Sequence, residues 1–485
     1  MKVQTSKLMS LVIGLVCGFT FLHHLGNEIW NDEFYTLLNF VLVPLKTTLL
    51  DYHVPNNHIL FSLFAKAYLS CIGYTDLSTV LENPFVVRLP LALVAIAILY
   101  YYWKISFYFF DNIRWRYVSL LLLCSNAVFG NFVFQYRGYG LSMLFLSMIA
   151  YHLLKLQNKE NTRSYVVLIL ATFGTMYTSP SNTYVLIVLC AYPVIAAYIK
   201  HGMPASLLKS TALKASCCMA AGAVLALLAY VPVFREVFGN DYVKNSTPFA
   251  FENLERMIKV FIAMSSFHYI LLIFGLYYLV YNGITKRLRR NSPYWLPLAV
   301  CSLPFFFSFL HGDVPPSRIY AVILPFFTLL LSYSLFHITR NFKAITPQVM
   351  FVVIPLYVLL HFAGTEFMIN RRLAQDNILG MRNQDLIYQY YNYHFNSREM
   401  LFTLSQEEYK AVPVYFIEEF DNTNMLTDAY GIKTSLVNPD TVHAGRYILI
   451  TNKPFSPDKD QRYQAKPLTP AKSYFKLYLL SRPPV

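Results

Sequence analysis

The chain has 485 residues, of which 56% are hydrophobic and only 14% are charged, and its mean hydropathy is +0.40. Soluble globular proteins carry about 25% charged residues, so this composition excludes a single soluble domain and indicates an integral membrane protein. The formal net charge of +14 would suit a nucleic-acid-binding protein, but the basic residues cluster in short loops between apolar runs. They therefore report membrane topology, and we exclude nucleic acid as a partner.

Apolar runs of helical length predict about eleven transmembrane helices, the first of them an uncleaved span. In chain order the predicted spans are 8–25, 85–107, 117–134, 139–156, 165–178, 183–199, 212–234, 258–281, 294–310, 319–336 and 349–362. Of the lysine and arginine residues in the short loops and at the N-terminus, most lie on one side of these spans, among them Arg114, Arg116 and those of the basic run 286–290. The positive-inside rule predicts that this side, with the N-terminus, is cytoplasmic.

The first outer loop, residues 27–84, contains two apolar segments, 34–50 and 57–74. Their apolar residues recur with helical spacing, but Lys46 and Lys66 interrupt them, which is typical of helices that lie in the membrane interface. Counting either segment as a span would place Arg114 and Arg116 outside. We therefore predict two interfacial helices on the outer face.

The last part of the chain is mixed in charge and no longer apolar. Short strands are predicted at 412–417, 447–450 and 475–480, and helices at 386–393 and 421–430. The predicted fold is thus an all-α polytopic membrane domain, residues 1–364, followed by a small soluble α/β domain, residues 365–485, on the outer side.

The first outer loop contains two sets of polar residues. Asp32 and Glu33 lie where the loop enters its first interfacial helix, so they could cap that helix or act as acids in a site. His53, Asn56 and His58 lie between the two interfacial helices, in a stretch that could also be an ordinary turn.

Three arginines lie at the outer ends of predicted spans: Arg88, Arg137 and Arg318. An arginine so close to the membrane core either extends to the lipid headgroups or has an anionic partner. Together, these acids, imidazoles and arginines share one depth on one face. That arrangement suits a substrate with a phosphate at headgroup level and a reaction that needs a carboxylate base.

The order of these motifs resembles the GT-C membrane glycosyltransferases, specifically bacterial relatives of the dolichyl-phosphate-mannose protein mannosyltransferases and of the lipid A aminoarabinose transferase. The resembling segments are WNDEFY at 30–35 for the acid pair, DYHVPN at 51–56 for D-x-H-P-P, RLP at 88–90, the turn YRGY at 136–139, and SRIYAVILP at 317–325 for the late R-Y…P segment. The resemblance implies a GT-C-like fold in the bacterial cytoplasmic (inner) membrane, with its site in contact with membrane lipid.

The resemblance also implies an activity: inverting transfer of a sugar from a polyprenyl-phosphate-linked donor to a lipid, protein or glycan acceptor on the outer face. It makes Asp32 the general base and Glu33 the acid that positions either the acceptor or Asp32 itself. Arg137 and Arg318 are the ligands of the lipid phosphate. The other residues expected to bind substrate are His53, Asn56, His58, Arg88, Tyr139 and Tyr320. Because a phosphate leaving group already carries its charge, arginines can stabilise it without a metal.

The sequence departs from the family pattern at two places. Val54 and Asn56 flank Pro55 where the family has two prolines, and Tyr35 stands where the lipid A transferases keep a basic residue, which weakens lipid A as the acceptor. Outer histidines such as His53, His58 and His268 could bind a divalent ion. We interpret them as interface histidines and assign no metal or cofactor.

Other functions stay open at this stage. A transporter or a flippase for lipid-linked glycans would place ionisable and helix-breaking residues near the bilayer midplane, often in two corresponding halves. Here the polar groups sit at the outer mouth and no halves correspond. A transferase of a whole lipid-linked oligosaccharide, and a non-catalytic assembly partner, are the further alternatives.

Overall fold

The computed structural model of the chain describes residues 2–54, 57–201, 210–239, 251–265, 269–284, 292–311, 317–341, 353, 356–360, 397–417, 427–428, 430–437, 442, 444–452, 463–470, 473 and 475–482. The described chain is mostly helical and ends in a five-stranded sheet. The α-helices before residue 342 are α1 (Lys2–Leu25), α2 (Asn31–Thr36), α3 (Leu45–Leu50), α4 (Ile59–Cys71), α5 (Leu77–Glu82), α6 (Pro84–Ser106), α7 (Ile113–Cys124), α8 (Ala127–Phe134), α9 (Tyr139–Asn158), α10 (Thr162–Thr178), α11 (Thr183–His201), α12 (Thr211–Tyr230), α13 (Phe234–Phe238), α14 (Phe251–Met264), α15 (Tyr269–Ile284), α16 (Trp295–His311) and α17 (Leu324–Asn341).

Several helices are long and apolar enough to cross a membrane. Among the described residues these are the five stretches Pro84–Ser106, Tyr139–Asn158, Pro180–Ile199, Thr211–Val237 and Arg318–Arg340, and the bent pair α7 and α8 makes a sixth if it is counted as one span. The chain is therefore a multi-pass membrane protein. The count of eleven spans and their direction across the membrane stay predictions, and most of the span expected at 349–362 lies outside the described residues.

The span predicted at 117–134 is not one straight helix. Helices α7 and α8 meet at an angle of 64°. Asn126 explains the bend, because its side-chain oxygen accepts a hydrogen bond from the Phe129 backbone N–H at 2.9 Å and so caps the second helix. Its amide nitrogen donates to the Met264 carbonyl oxygen at 2.9 Å, which ties the bend to α14.

The span predicted at 258–281 is described as two helices, α14 up to Met264 and α15 from Tyr269, and residues 266–268 between them lie outside the described residues. Helix α14 has 14 residues and is therefore about 21 Å long, too short for a hydrocarbon core of about 30 Å. It carries Glu255 and Lys259 as an ion pair one turn apart, at 2.6 Å. Charges at that spacing give the helix a polar face, which is typical of helices that lie in a membrane interface.

The first predicted interfacial segment, 34–50, is not one helix, whereas the second, 57–74, forms helix α4; the interfacial position of both stays a prediction. After α2 the chain widens into a π-helix over Leu37–Val41, leaves the helical path, and restarts at α3 after Pro44. Lys66 of α4 stabilises the break, because its ammonium group donates to the carbonyl oxygens of Val41, at 2.6 Å, and of Val43. The lysine that interrupts the apolar pattern of α4 thus caps the neighbouring helix.

The tail forms a short helix, α18 (Ser397–Ser405), and a mixed sheet. Its strands are β1 (Val414–Phe416), β2 (Thr434–Leu436), β3 (Arg446–Thr451), β4 (Gln464–Pro467) and β5 (Lys476–Ser481), in the order β2-β1-β3-β5-β4. Strand β1 pairs in parallel with β2 and β3, and β5 pairs antiparallel with β3 and β4. The three predicted strands are confirmed as β1, β3 and β5. The helix predicted at 386–393, most of the one at 421–430 and the domain boundary near 364 lie outside the described residues.

The tail packs on the first outer loop. The Arg398 backbone N–H donates to the Glu28 carboxylate at 3.2 Å. Burial, with the Glu82 and Asp76 carboxylates nearby, raises the pKa of Tyr430 to about 12. The start of α18 and Tyr430 therefore lie beside the loop that leads into Asp32 and Glu33.

Candidate functional site

The short helix α2 separates the two adjacent acids. Consecutive residues of a helix point about 100° apart, so Asp32 and Glu33 face different neighbours. Each carboxylate is held by a different arginine.

Glu33 lies in the interior and accepts four hydrogen bonds. Its Oε1 accepts from Arg88 Nε at 3.1 Å and from the Tyr136 backbone N–H at 2.5 Å. Its Oε2 accepts from Arg88 Nη2 at 2.7 Å and from the Trp30 backbone N–H at 2.8 Å. The bond to Trp30 is the helix-capping contact considered from the sequence, and the same carboxylate also forms a buried ion pair.

Arg88 uses its remaining donors on the loop before α2. Its Nη1 donates to the Asn27 carbonyl oxygen, and its Nη2 donates to the Glu28 carbonyl oxygen at 2.9 Å. The guanidinium group therefore joins α6 to residues 27–33. This geometry favours a structural role for Arg88 over the substrate contact expected from the sequence.

Asp32 is held by the two arginines expected to bind phosphate. Its Oδ2 lies 2.6 Å from Arg137 Nη1 and 3.3 Å from Arg318 Nη1. The side chain of Arg137 is 3% exposed, that of Asp32 is 16% exposed and that of Arg318 is 29% exposed. One carboxylate and two guanidinium groups give this cluster a net positive charge.

The tight turn between α8 and α9 fixes Arg137. Its Nη2 lies 3.2 Å from His58 Nε2, and its guanidinium carbon lies 5.1 Å from the centre of the Tyr139 ring. Gly138 permits this packing, because a Cβ there would lie 2.5 Å from Thr178 Cγ2 and 2.6 Å from His58 Nδ1. The glycine in the turn is thus needed for the close approach of the His58 ring.

His58 supports Arg137 as a neutral imidazole. Burial, together with the charges of Arg137 and Arg318, lowers the pKa of His58 well below its usual value. A neutral ring can accept the Arg137 N–H at Nε2, which an imidazolium could not do. His58 therefore lies inside the cluster, next to Arg137, and its contact with substrate stays a prediction.

His53 belongs to a second group of side chains, on the exposed side of α2. Its Nε2 lies 2.8 Å from the Tyr35 hydroxyl oxygen, and its Nδ1 contacts Asp51 Oδ1. Sequence reasoning noticed Tyr35 only as a departure from the family pattern. Its spacing of three residues from Asp32, one helical turn, is the signal that could have placed it beside the site.

Two further contacts that the sequence did not predict hold the loop 51–58. The buried Asn57 amide donates to the carbonyl oxygens of Thr48 and Asp51, at 3.1 and 2.8 Å. The carboxylate of Glu236 accepts from the Tyr52 backbone N–H at 2.6 Å. Glu236 is 184 residues away from Tyr52 in sequence, so no local pattern could have paired them.

The other candidates are placed as follows. Tyr139 packs edge-to-face on His58, with 5.4 Å between the ring centres. Tyr320 is buried and its ring stacks on Phe305 at 4.0 Å. Asn56 and His268 lie outside the described residues.

Metal binding needs several ligands at one point. Among the residues that the structure describes, no group of three or more His, Cys, Asp or Glu side chains comes together as a metal site would require.

Replacing Arg88 with methionine should destabilise the protein strongly, because it leaves the Glu33 carboxylate buried without its arginine. We expect a loss of about 3–5 kcal/mol in the free energy of unfolding, measured as a lower melting temperature in detergent. The matched control is Lys214→Met, which removes an exposed ion pair with Glu160 and should leave the melting temperature almost unchanged. Equal small shifts in the two variants would contradict a structural role for the Glu33–Arg88 pair.

The fold was compared with solved structures. The apo crystal structure of ArnT from Cupriavidus metallidurans is 11% identical and superimposes with a TM-score of 0.50, covering 98% of each chain. The structure of ArnT from the same organism bound to undecaprenyl phosphate is 11% identical, has a TM-score of 0.49 and covers 98% of each chain. The archaeal oligosaccharyltransferase AglB from Archaeoglobus fulgidus, in complex with an inhibitory peptide and a dolichol-phosphate, gives 9% identity and a TM-score of 0.46 over 89% of this chain and 64% of that chain.

No protein-family model matches the sequence, and no curated protein matches it either. The structural similarity to apo ArnT extends over nearly the whole chain, including the tail. The resemblance stated from the sequence motifs is therefore confirmed at the level of the fold: the chain folds as the GT-C lipid-linked glycosyltransferase ArnT does.

Proposed function

We propose that the chain is an inverting glycosyltransferase that moves a sugar from a polyprenyl-phosphate-linked donor to an acceptor on the outer face of the membrane. The observation that carries the proposal is the cluster of Asp32, Arg137 and Arg318. It combines a carboxylate base with two guanidinium groups that match a phosphate, and it lies in an ArnT-like fold. ArnT itself binds undecaprenyl phosphate, and we propose a lipid of this class for the present chain.

The two arginines have different tasks in this proposal. Arg137 is buried and is fixed by His58 and by the turn, so it positions Asp32. Arg318 is more exposed and makes the longer contact with Asp32, so it can turn to an incoming phosphate at a smaller cost. Its planar guanidinium group would bind two phosphate oxygens and stabilise the charge that stays on the lipid when the sugar leaves.

Asp32 acts as the general base. It removes the proton of the acceptor hydroxyl while the acceptor oxygen attacks the anomeric carbon in line with the departing phosphate oxygen. One displacement inverts the anomeric centre. Glu33 and Arg88 are positioning residues, because their ion pair fixes the orientation of α2 and therefore the direction in which the Asp32 side chain points.

The remaining candidates surround this centre. His58 and Tyr139 support Arg137, and Tyr320 packs beside the segment that carries Arg318. Asn56 and His53 lie in the loop 51–58, where we propose contacts with the acceptor, which is a lipid, a protein or a glycan. No observation in the described residues favours a transporter, a flippase or transfer of a whole oligosaccharide over this reaction.

We further propose that the protein lies in a bacterial cytoplasmic membrane with its N-terminus inside and its tail, residues 365–485, as a separate domain outside. The short-loop charge bias supports this direction. The packing of the tail on the first outer loop supports it too, since both must then lie on one side.

Asp32→Asn should lower turnover by about 10²–10⁴-fold while folding and donor binding persist, because the amide keeps the shape of the side chain but cannot take a proton. The measurement is release of undecaprenyl phosphate by the purified full-length protein from a panel of undecaprenyl-phosphate-linked hexoses. Asp111→Asn, a change at an exposed carboxylate outside the site, is the control. Near-normal turnover in Asp32→Asn would remove Asp32 as the base.

Arg318→Lys should weaken use of the lipid donor, seen as a raised KM for the donor, because lysine keeps the charge and loses the two-pronged contact. Arg137→Lys should act mainly on kcat, because it disturbs the position of Asp32. Measuring both constants for both variants separates the two roles. An unchanged donor KM in Arg318→Lys would mean that Arg318 does not hold the phosphate.

Cysteine labelling should confirm the topology. In a background without the seven native cysteines, a membrane-impermeant thiol reagent should label cysteines placed at Thr75 and Lys433 in intact cells and fail to label one at Lys159. All three positions are exposed, so permeabilised cells give the control for access. Opposite results at Thr75 and Lys433 would contradict the proposed direction and place the tail on the other side from Asp32.

A further inference from the structure

A chain of hydrogen bonds runs from helix α2 to the protein surface. The Tyr35 hydroxyl group bonds His53 Nε2 at 2.8 Å, and His53 Nδ1 bonds Asp51 Oδ1. The Asp51 Oδ1 atom also accepts from the His53 backbone N–H at 3.1 Å, so both nitrogen groups of this residue hold the same oxygen. The side chains of His53 and Asp51 are 46% and 34% exposed, which places this end of the chain in contact with solvent.

The inner end of the hydrogen-bonded chain, Tyr35, is on the helix that carries Asp32. Tyr35 follows Asp32 by three residues in α2, and residues at this spacing lie on the same side of a helix one turn apart. The outer end is part of the loop 51–58, whose last residue, His58, contacts Arg137. The Asn57 amide fixes the loop through the Asp51 carbonyl oxygen, so the hydrogen-bonded chain and the Asp32 cluster share one framework.

Protonation has opposite effects on the charge contacts of Asp32 and of His53. Protonating Asp32 removes the negative charge that Arg137 and Arg318 contact. Protonating His53 creates an imidazolium beside the Asp51 carboxylate and so forms an ion pair. In the part of the chain that the structure describes, the groups that face the His53 ring are the Tyr35 phenol, the Asp51 carboxylate and the apolar ring of Phe40, whose centre lies 5.5 Å away.

We propose that Tyr35, His53 and Asp51 form a proton relay that carries the acceptor proton from Asp32 to solvent. This inference rests on the proposed glycosyl transfer. The bond from the anomeric carbon to the phosphate oxygen breaks, the bond from that carbon to the acceptor oxygen forms, and the acceptor proton passes to Asp32. Asp32 then gives a proton to the Tyr35 oxygen while Tyr35 passes its own proton to His53 Nε2.

The relay restores the site for the next turnover. His53 holds the proton as an imidazolium paired with Asp51 and releases it to water, because its side chain is exposed. Asp32 is again a carboxylate and regains its contacts with both arginines. Tyr35 and His53 are relay residues in this account, and Asp51 sets the orientation of the His53 ring.

The test uses transfer of the sugar to water, which needs the same proton removal and does not require the acceptor to be known. The full-length protein is incubated with the undecaprenyl-phosphate-linked hexose of the panel that wild type hydrolyses fastest, over a range of pH. Tyr35→Phe and His53→Ala should each lower kcat by about 10²-fold with little change in the donor KM. Tyr74→Phe, at an outer-loop tyrosine away from the relay, should behave as wild type.

Chemical rescue separates a relay from a structural role. Added imidazole should restore at least a tenth of wild-type kcat to His53→Ala, since the exposed position admits the free base, and should do nothing for Tyr35→Phe. The pH–rate profile of His53→Ala should differ from that of wild type, and the activity restored by imidazole should follow the unprotonated fraction of the added base.

Wild-type kcat and an unchanged pH profile in both variants would overturn the relay while leaving the transferase intact. A reduced kcat that imidazole does not restore in His53→Ala would also overturn it, because a structural defect gives that result. Failure of the proposed function is recognised differently. In that case wild type itself would release no undecaprenyl phosphate from any donor of the panel.

Discussion

The buried ion pair between Glu33 and Arg88 is the constraint on which the candidate site depends. A buried ion pair is stable only when its remaining hydrogen-bonding groups are also satisfied, and here both side chains meet that condition through backbone groups of residues 27, 28, 30 and 136. Three segments of the chain, residues 27–33, helix α6 and the turn at 136, therefore meet at this ion pair. Because α2 is only six residues long, fixing Glu33 fixes the direction in which Asp32 points.

The consequence is a division between a rigid and an adaptable half of the site. Arg137, His58 and the Gly138 turn pack too closely to move separately, since even a Cβ at Gly138 would collide with the ring of His58. Arg318 lies opposite, more exposed, on the short 3₁₀ segment Ser317–Ile323. In the proposed reaction this arrangement would hold the base still while the lipid exchanges, because reorganisation is confined to one side chain.

The sequence predicted which residues belong to the candidate site better than it predicted which residues contact each other. Apolar periodicity and the positions of charges located most helices, and the motifs located Asp32, Glu33, Arg137 and Arg318. Pairings across many residues could not be derived, such as Arg88 with Glu33 and Asn126 with Met264, because tertiary packing alone decides them. The break at Leu37–Val41 escaped for a similar reason, since the Lys66 ammonium that stabilises it comes from another helix. Edge strands β2 and β4 were missed because they are short and exposed and lack an apolar alternation.

The central claim is that the lipid phosphate binds between Arg318 and the Asp32–Arg137 pair. An electron cryomicroscopy structure of the full-length protein with undecaprenyl phosphate tests it most directly. The account predicts that the phosphate contacts the Arg318 guanidinium group, that the contact between Arg318 and Asp32 opens, and that Arg137 stays on Asp32. A phosphate bound elsewhere, with Arg318 still paired to Asp32, would contradict the account.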